Sequence, residues 1–199
     1  MIKYVPEMTS VVIEEIPDRV TLAVDISNCQ GNCVGCHSPF LKEDVGEELT
    51  NEIIDRLVAE NYGVNCFLFL GEGNDPETLI ALADHVRSLG LAPALYSGRR
   101  DVERALYMTF DYVKIGPYIE HFGPLNSPTT NQRLYKVTHD TSSKPDYRLT
   151  DLTSRFWHRG IDPNAKELPF QRRQDTATRT PRYARPHRSL HFVPLRSPL

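Results

Sequence analysis

An α/β fold with a mainly parallel sheet is what the pattern of this chain predicts, and three observations carry the prediction. Apolar runs alternate with amphipathic helical stretches from about residue 20 to residue 116, as βαβ units joined by crossovers do. Glycine-bearing turns close those runs at Gly71, Gly98 and Gly116, the ends at which such sheets bind ligands. The charge then changes sign. Residues 1–154 carry a balance of -10 and residues 155–199 a balance of +7, so the expected division is a folded domain over 1–155 and a basic tail over 156–199.

The elements follow in order. Val11–Ile16 is expected as a short edge strand stopped by Pro17. Val20–Ile26 is mostly apolar, as a buried parallel strand is. Leu49–Tyr62 has apolar residues at Ile53, Ile54, Leu57 and Val58, with Thr50 as N-cap and Gly63 as stop. Val64–Leu70 is a second buried strand, and Pro76–Leu89 a helix bounded by Pro76 and Gly90. Ala92–Tyr96 is a third strand, Arg100–Tyr107 a short helix and Asp111–Ile115 a fourth strand. From about Thr138 the periodicity fades, 141–145 reads as a loop, and the Arg/Pro-rich tail is expected to have little order.

At 199 residues the chain is long enough for one domain with a real core. No apolar run approaches the roughly 18–20 residues of a membrane span, and the N-terminal residues lack the plan of a signal peptide. The four cysteines therefore read as reduced thiols of a cytoplasmic protein rather than as a disulfide framework. The tail, with Tyr183 and three histidines among its arginines, reads either as a phosphate-contacting segment or as an extension without selected function; the second is preferred, so nucleic acid is not an expected partner.

Chemistry concentrates in the segment after the first buried strand. Cys29, Cys33 and Cys36 stand at C-x3-C-x2-C spacing in a loop that also holds Gly31, Asn32, Gly35, His37 and Ser38. Three thiolates so close together suit a soft metal centre. They are one ligand short of the four that a structural zinc or an ordinary iron–sulfur cluster takes. Cys66 in its apolar strand, or His37, could complete a zinc set, and buried thiols could simply pack; a three-cysteine [4Fe–4S] cluster with one open iron is the favoured reading. Gly71-Glu72-Gly73 and Tyr96-Ser97-Gly98 would share the strand-end rim with this loop, although each could also be a bare turn.

The C-x3-C-x2-C loop after the first strand of a βα-repeat protein resembles the radical S-adenosylmethionine superfamily. The resemblance implies a partial (βα) barrel in which Cys29, Cys33 and Cys36 hold the cluster. S-adenosylmethionine would fill the open iron position and be cleaved by one electron to a 5′-deoxyadenosyl radical. Gly71-Glu72 resembles the motif that meets the methionine amino group, although Leu70 stands where the superfamily has another glycine. Ser97 and Gly98 would line the cofactor pocket, and His37 would pack near the cluster.

Within the superfamily, Gly35-Cys36-His37-Ser38, the segment 111–118 and Asn131-Gln132-Arg133 are similar to the activating proteins of anaerobic (class III) ribonucleoside-triphosphate reductase. This resemblance covers roughly residues 10–140. It implies an oxidoreductase that makes a glycyl radical on the reductase with electrons from a flavodoxin-like donor. No residue would serve as general acid, base or nucleophile, and Arg133 would reach a carboxylate of cofactor or partner. The rivals are an activase of another glycyl-radical enzyme and a non-catalytic zinc-binding module. Only Cys66 is left over for an auxiliary cluster, which disfavours the multi-cluster activases.

Overall fold

The computed structural model describes residues 1–31, 33–36, 38–140 and 145–157. His37, residues 141–144 of the expected loop and residues 158–199 of the expected tail lie outside the described residues.

A seven-stranded sheet organises the chain. Its order is β2 (Ser10–Val12), β3 (Thr21–Asp25), β5 (Cys66–Leu70), β6 (Ala92–Tyr96), β7 (Tyr112–Ile115), β8 (Arg133–Asp140) and β9 (Asp146–Asp151). Four neighbours, β3, β5, β6 and β7, run parallel. β2 pairs antiparallel with β3 at one edge, and β8 and β9 extend the other edge antiparallel. A small antiparallel pair, β1 (Lys3–Tyr4) with β4 (Glu47–Glu48), stands apart, and Tyr4 bridges to Ile26 just beyond β3. The α/β class with parallel strands at its centre is thus as expected. Among the described residues no helix is long and apolar enough to cross a membrane.

Local chemistry accounts for the helices. In α1 (Asn51–Glu60) the Thr50 side chain accepts from the Ile53 amide at 3.4 Å, satisfying one of the first-turn donors. In α2 (Pro76–Ser88) Asp75 does the same for Thr78 at 3.1 Å, with Pro76 at the first position. Gly90 follows with φ of +80°, a conformation that disfavours any side chain. The short helix α3 spans Arg104–Thr109 and starts later than expected. Asp101 explains the delay, because its carboxylate accepts from the Val102 amide and the Tyr107 hydroxyl, both at 2.8 Å, and holds the preceding turn.

The first strand is also shorter than expected, ending at Val12. The chain peels away there because Ile16 turns under the sheet and is fully buried, while the Tyr96 hydroxyl donates to the Glu15 carbonyl.

Alternation along the parallel strands divides the core. One face, with Leu22, Val24, Phe67, Phe69, Leu95 and Val113, packs against Ile54, Leu57, Leu79 and Val86 of the helices. The other face carries Ala23, Cys66, Leu68, Ala94, Tyr112 and Leu134 and packs against Ile16 and partly buried loop residues. Burial of these apolar side chains drives folding, at roughly 25 cal/mol per Å² of apolar area.

Candidate functional site

The carboxyl ends of the parallel strands are stitched into one rim. The Ile26 amide donates to Leu70 O at 3.0 Å, Gly71 to Tyr96 O at 3.0 Å, Ser97 to Lys114 O at 2.8 Å and Gly116 to Arg99 O at 2.6 Å. The four turns expected to converge are therefore neighbours. Gly71 is required here: its φ is +121°, and a Cβ would come within 3.1 Å of the Ile26 carbonyl oxygen.

The cysteine loop rises from this rim with both ends held. Asn28, at φ of +56°, donates its amide to Glu43 O at 3.2 Å and its side chain to Asp44 at 2.9 Å. The Cys29 amide donates to Leu41 O at 2.9 Å. Cys29, Cys33 and Cys36 are free and partly exposed, while Cys66 is fully buried in β5. Burial pushes the Cys66 thiol up to about 12, which removes it from any thiolate set at neutral pH.

Two glycines cradle the sulfurs. A Cβ on Gly31 would lie 3.2 Å from Cys29 Sγ and 4.0 Å from Cys33 Sγ, and one on Gly98 would lie 3.1 Å from Cys33 Sγ. The Gly31 amide points at Cys29 Sγ at 3.4 Å. Among the described residues no three His, Cys, Asp or Glu side chains already converge on one point. The donor chemistry of three free thiols, with side-chain-free backbone against two of them, nonetheless fits a thiolate-held iron–sulfur group.

Cavities flank the loop. Gln30 lines a polar one of about 200 Å³ with Glu72, Asn74 and Arg99. Glu72 is buried, receives the Ser97 hydroxyl as donor and has Arg99 Nε 3.4 Å from its other oxygen. Ser97 Oγ also accepts from the Arg99 amide at 3.0 Å, so that hydroxyl is fully engaged within the chain.

Cys36 lines a larger open cavity of about 700 Å³ on the Ala23/Ala94 face of the sheet. Its wall includes one complete register row, Asp25–Leu70–Tyr96–Lys114, formed by successive parallel strands. Asp25 and Lys114 stand at the two ends of that row, three strand spacings or about 14 Å apart, too far to pair. Burial raises the Asp25 carboxyl above its ordinary range, with Glu15 adding to the shift. Burial likewise lowers the Lys114 amine to about 8, against the opposing pull of Cys33 and Glu15. Lys114 Nζ donates to Gly116 O at 3.2 Å and stands 5.7 Å from the Tyr96 ring centre.

Segments 111–118 and 130–134 also meet. Asn131 donates to Pro117 O at 2.9 Å and Gln132 to Gly116 O at 3.3 Å, and Gln132 reaches the larger cavity. Arg133 instead spends its guanidinium on Thr130 O and Gln132 O, at 2.8 and 2.7 Å. Sequence reasoning placed the cysteines, Gly71, Glu72, Ser97 and Gly98 on this rim, and all lie there. It passed over Asp25, Arg99 and Lys114. A lysine inside the apolar run Tyr112–Ile115 was the available signal. Comparison with known proteins finds no matching family model, no matching curated protein and no matching solved structure.

Proposed function

We propose that the chain is a radical S-adenosylmethionine activating enzyme that installs a glycyl radical on a partner protein, with anaerobic ribonucleoside-triphosphate reductase as that partner. The observation that carries this reading is the C-x3-C-x2-C loop at the carboxyl edge of parallel strands, with the glycine backbone of residues 31 and 98 against its sulfurs. A partial barrel with an open rim is the form of the fold that goes with it.

In this reading Cys29, Cys33 and Cys36 hold three irons of a [4Fe–4S] cluster. When bound there, such a cluster would supply the one electron that cleaves S-adenosylmethionine, giving a radical able to take a hydrogen from a glycine Cα of the partner. The protein's part is to hold, orient and shield. Gly31 and Gly98 leave space against the sulfurs. Glu72, fixed by Ser97 and Arg99, presents a carboxylate beside Gln30 for the methionine ammonium. The open cavity beside Cys36, about 700 Å³, admits a segment of a partner chain. Hydrogen abstraction needs no general acid or base, so no histidine takes part. A flavodoxin-like protein is the proposed electron donor.

Anaerobic reconstitution tests the centre. About four irons and four sulfides per chain, with visible charge-transfer absorption, are expected. One zinc and no iron would support the zinc-module alternative instead. Electron paramagnetic resonance of the loaded chain with reductase, S-adenosylmethionine and a reductant should then give a glycyl doublet. S-adenosylmethionine cleavage without that doublet would move the assignment to another partner.

A further inference from the structure

Lys114 stands out among the charged groups of the site. It lies in the second-last register of a central parallel strand, where its side chain lines the cavity that Cys36 also lines. Its ammonium has no carboxylate within ion-pair distance among the described residues; its contacts are the Gly116 carbonyl at 3.2 Å and the Tyr96 ring. Asp25, the one carboxylate in its row, stands at the far end beyond Leu70 and Tyr96. Glu14, Glu15 and Arg155 also line this cavity, and Arg155 is held by Asp18 at 2.6 Å. Lys114 is tied to the cysteine loop through the rim as well. Its carbonyl accepts from the Ser97 amide at 2.8 Å, and the next residue, Gly98, is the backbone against Cys33 Sγ.

Lys114 is half-buried, and Glu15 attracts it without reaching ion-pair distance, so its charge is only partly compensated within the described residues. An anionic group beside the cavity would complete that compensation. A thiolate-held [4Fe–4S] group is one, since three thiolates outweigh the charge of the oxidised iron–sulfur core, and each electron accepted deepens the imbalance.

We infer that Lys114 is a positioning residue that supplies the electrostatic counter-charge of the cysteine-held centre and so makes it easier to reduce. The step concerned is a one-electron transfer from a reductant such as dithionite into the cluster; no bond forms or breaks. An ammonium in the cavity that Cys36 lines stabilises the reduced form more than the oxidised one, and the Leu70 and Tyr96 side chains beside it keep part of the surrounding water away. The inference rests on the cluster reading above.

The test is a redox titration of the reconstituted full chain, followed by visible absorption and by the resonance signal of the reduced cluster. Lys114→Met should move the midpoint to more negative potential, while Lys114→Arg, which keeps the charge, should stay close to the wild-type value. Lys136→Met, an equal charge change at an exposed position on β8, should leave the midpoint in place. Far-UV circular dichroism establishes that each variant is folded; should Lys114→Met fail that check, Lys114→Gln replaces it. A neutral variant with the wild-type midpoint, or a shift equalled by Lys136→Met, overturns the inference while the cluster reading stands. A wild-type chain that takes up no iron overturns both.

Discussion

Replacing Ser97 by alanine tests whether the rim is held by the buried network around Glu72. Ser97 is 1% and Glu72 7% exposed, so neither group can turn to water when its partner is lost. The Ser97 hydroxyl does two things: it donates to Glu72 Oε1 and accepts from the Arg99 amide at 3.0 Å. A hydrogen bond to a charged group contributes about 1.5–3 kcal/mol, and a neutral one about 0.5–1.5 kcal/mol. The Arg99 amide lies on an exposed residue and recovers part of its loss from solvent. The Glu72 oxygen does not, and Arg99 Nε at 3.4 Å remains as its ion-pair partner among the described residues. Ser97→Ala is therefore expected to cost about 2–4 kcal/mol. With a urea slope of about 2 kcal/mol per M, in the middle of the usual range, the midpoint should fall by about 1–2 M. Equilibrium unfolding of wild type, Ser97→Ala, Glu72→Gln and the double variant gives the coupling directly. The expected coupling is about 1–2 kcal/mol, because the neutral amide of Glu72→Gln needs the serine donor less. A loss below about 1 kcal/mol, or equal losses with and without the carboxylate, would refute the argument.

Gly98→Ala would bring a Cβ to 3.1 Å from Cys33 Sγ and 3.5 Å from Gly31 Cα; iron content after reconstitution should fall several-fold while the unfolding free energy of the metal-free chain changes by less than about 1 kcal/mol. Full loading of that variant would show that the loop does not need the space. Iodoacetamide at pH 8 should label Cys29, Cys33 and Cys36 but spare Cys66, whose thiol sits at about 12, and peptide mapping with and without urea reads this out. Comparable labelling of Cys66 in the folded chain would place it outside the core. Lys114→Met should stabilise the metal-free chain below pH 8. The folded amine, at about 8 instead of its ordinary 10.5, binds fewer protons than the unfolded one between these limits, so its burden lifts as pH rises. The gap between variant and wild-type urea midpoints should narrow from pH 7 to pH 10; a constant gap would contradict it.

Local signals explain which elements were legible in the sequence. Thr50 and Pro76 marked helix starts and Gly90 a helix stop because capping chemistry acts within a turn. The hairpin β8–β9 was not legible. Arg133–Asp140 holds only Leu134 and Val137 as buried residues, three apart and so on opposite faces of a strand, and each goes to a different core cluster. Asp146–Asp151 is mostly exposed at the edge of the sheet, with Tyr147 alone packing against the first core face, stacked on Tyr107. Nothing in its composition announces a strand. The start of α3 was misplaced for a similar reason, since the Asp101 turn depends on Tyr107, a contact made only once the helix exists.

The site divides along the same line. Cysteine spacing and strand-end glycines are local, and they located the rim. The row Asp25–Leu70–Tyr96–Lys114 is not local: its members come from strands separated by whole helices, and only the register makes them neighbours. Parallel strands covered on both faces read as continuous apolar runs, which conceals the period-two alternation that sends these side chains to one face. Ala23 and Ala94 on that face are buried in the core cluster with Ile16, and the cavity opens two residues further along the same strands, at Asp25, Leu70, Tyr96 and Lys114, instead of on the face where Phe67 and Phe69 meet the helices. The cavity wall thus depends on which side chains the register sends to the carboxyl ends of the strands. Enlarging the exposed cavity-lining Asn126 to tryptophan should narrow this cavity without touching the cysteine loop, leaving iron uptake intact while abolishing action on a partner protein. Retained activity on the partner would place its docking segment elsewhere on the rim.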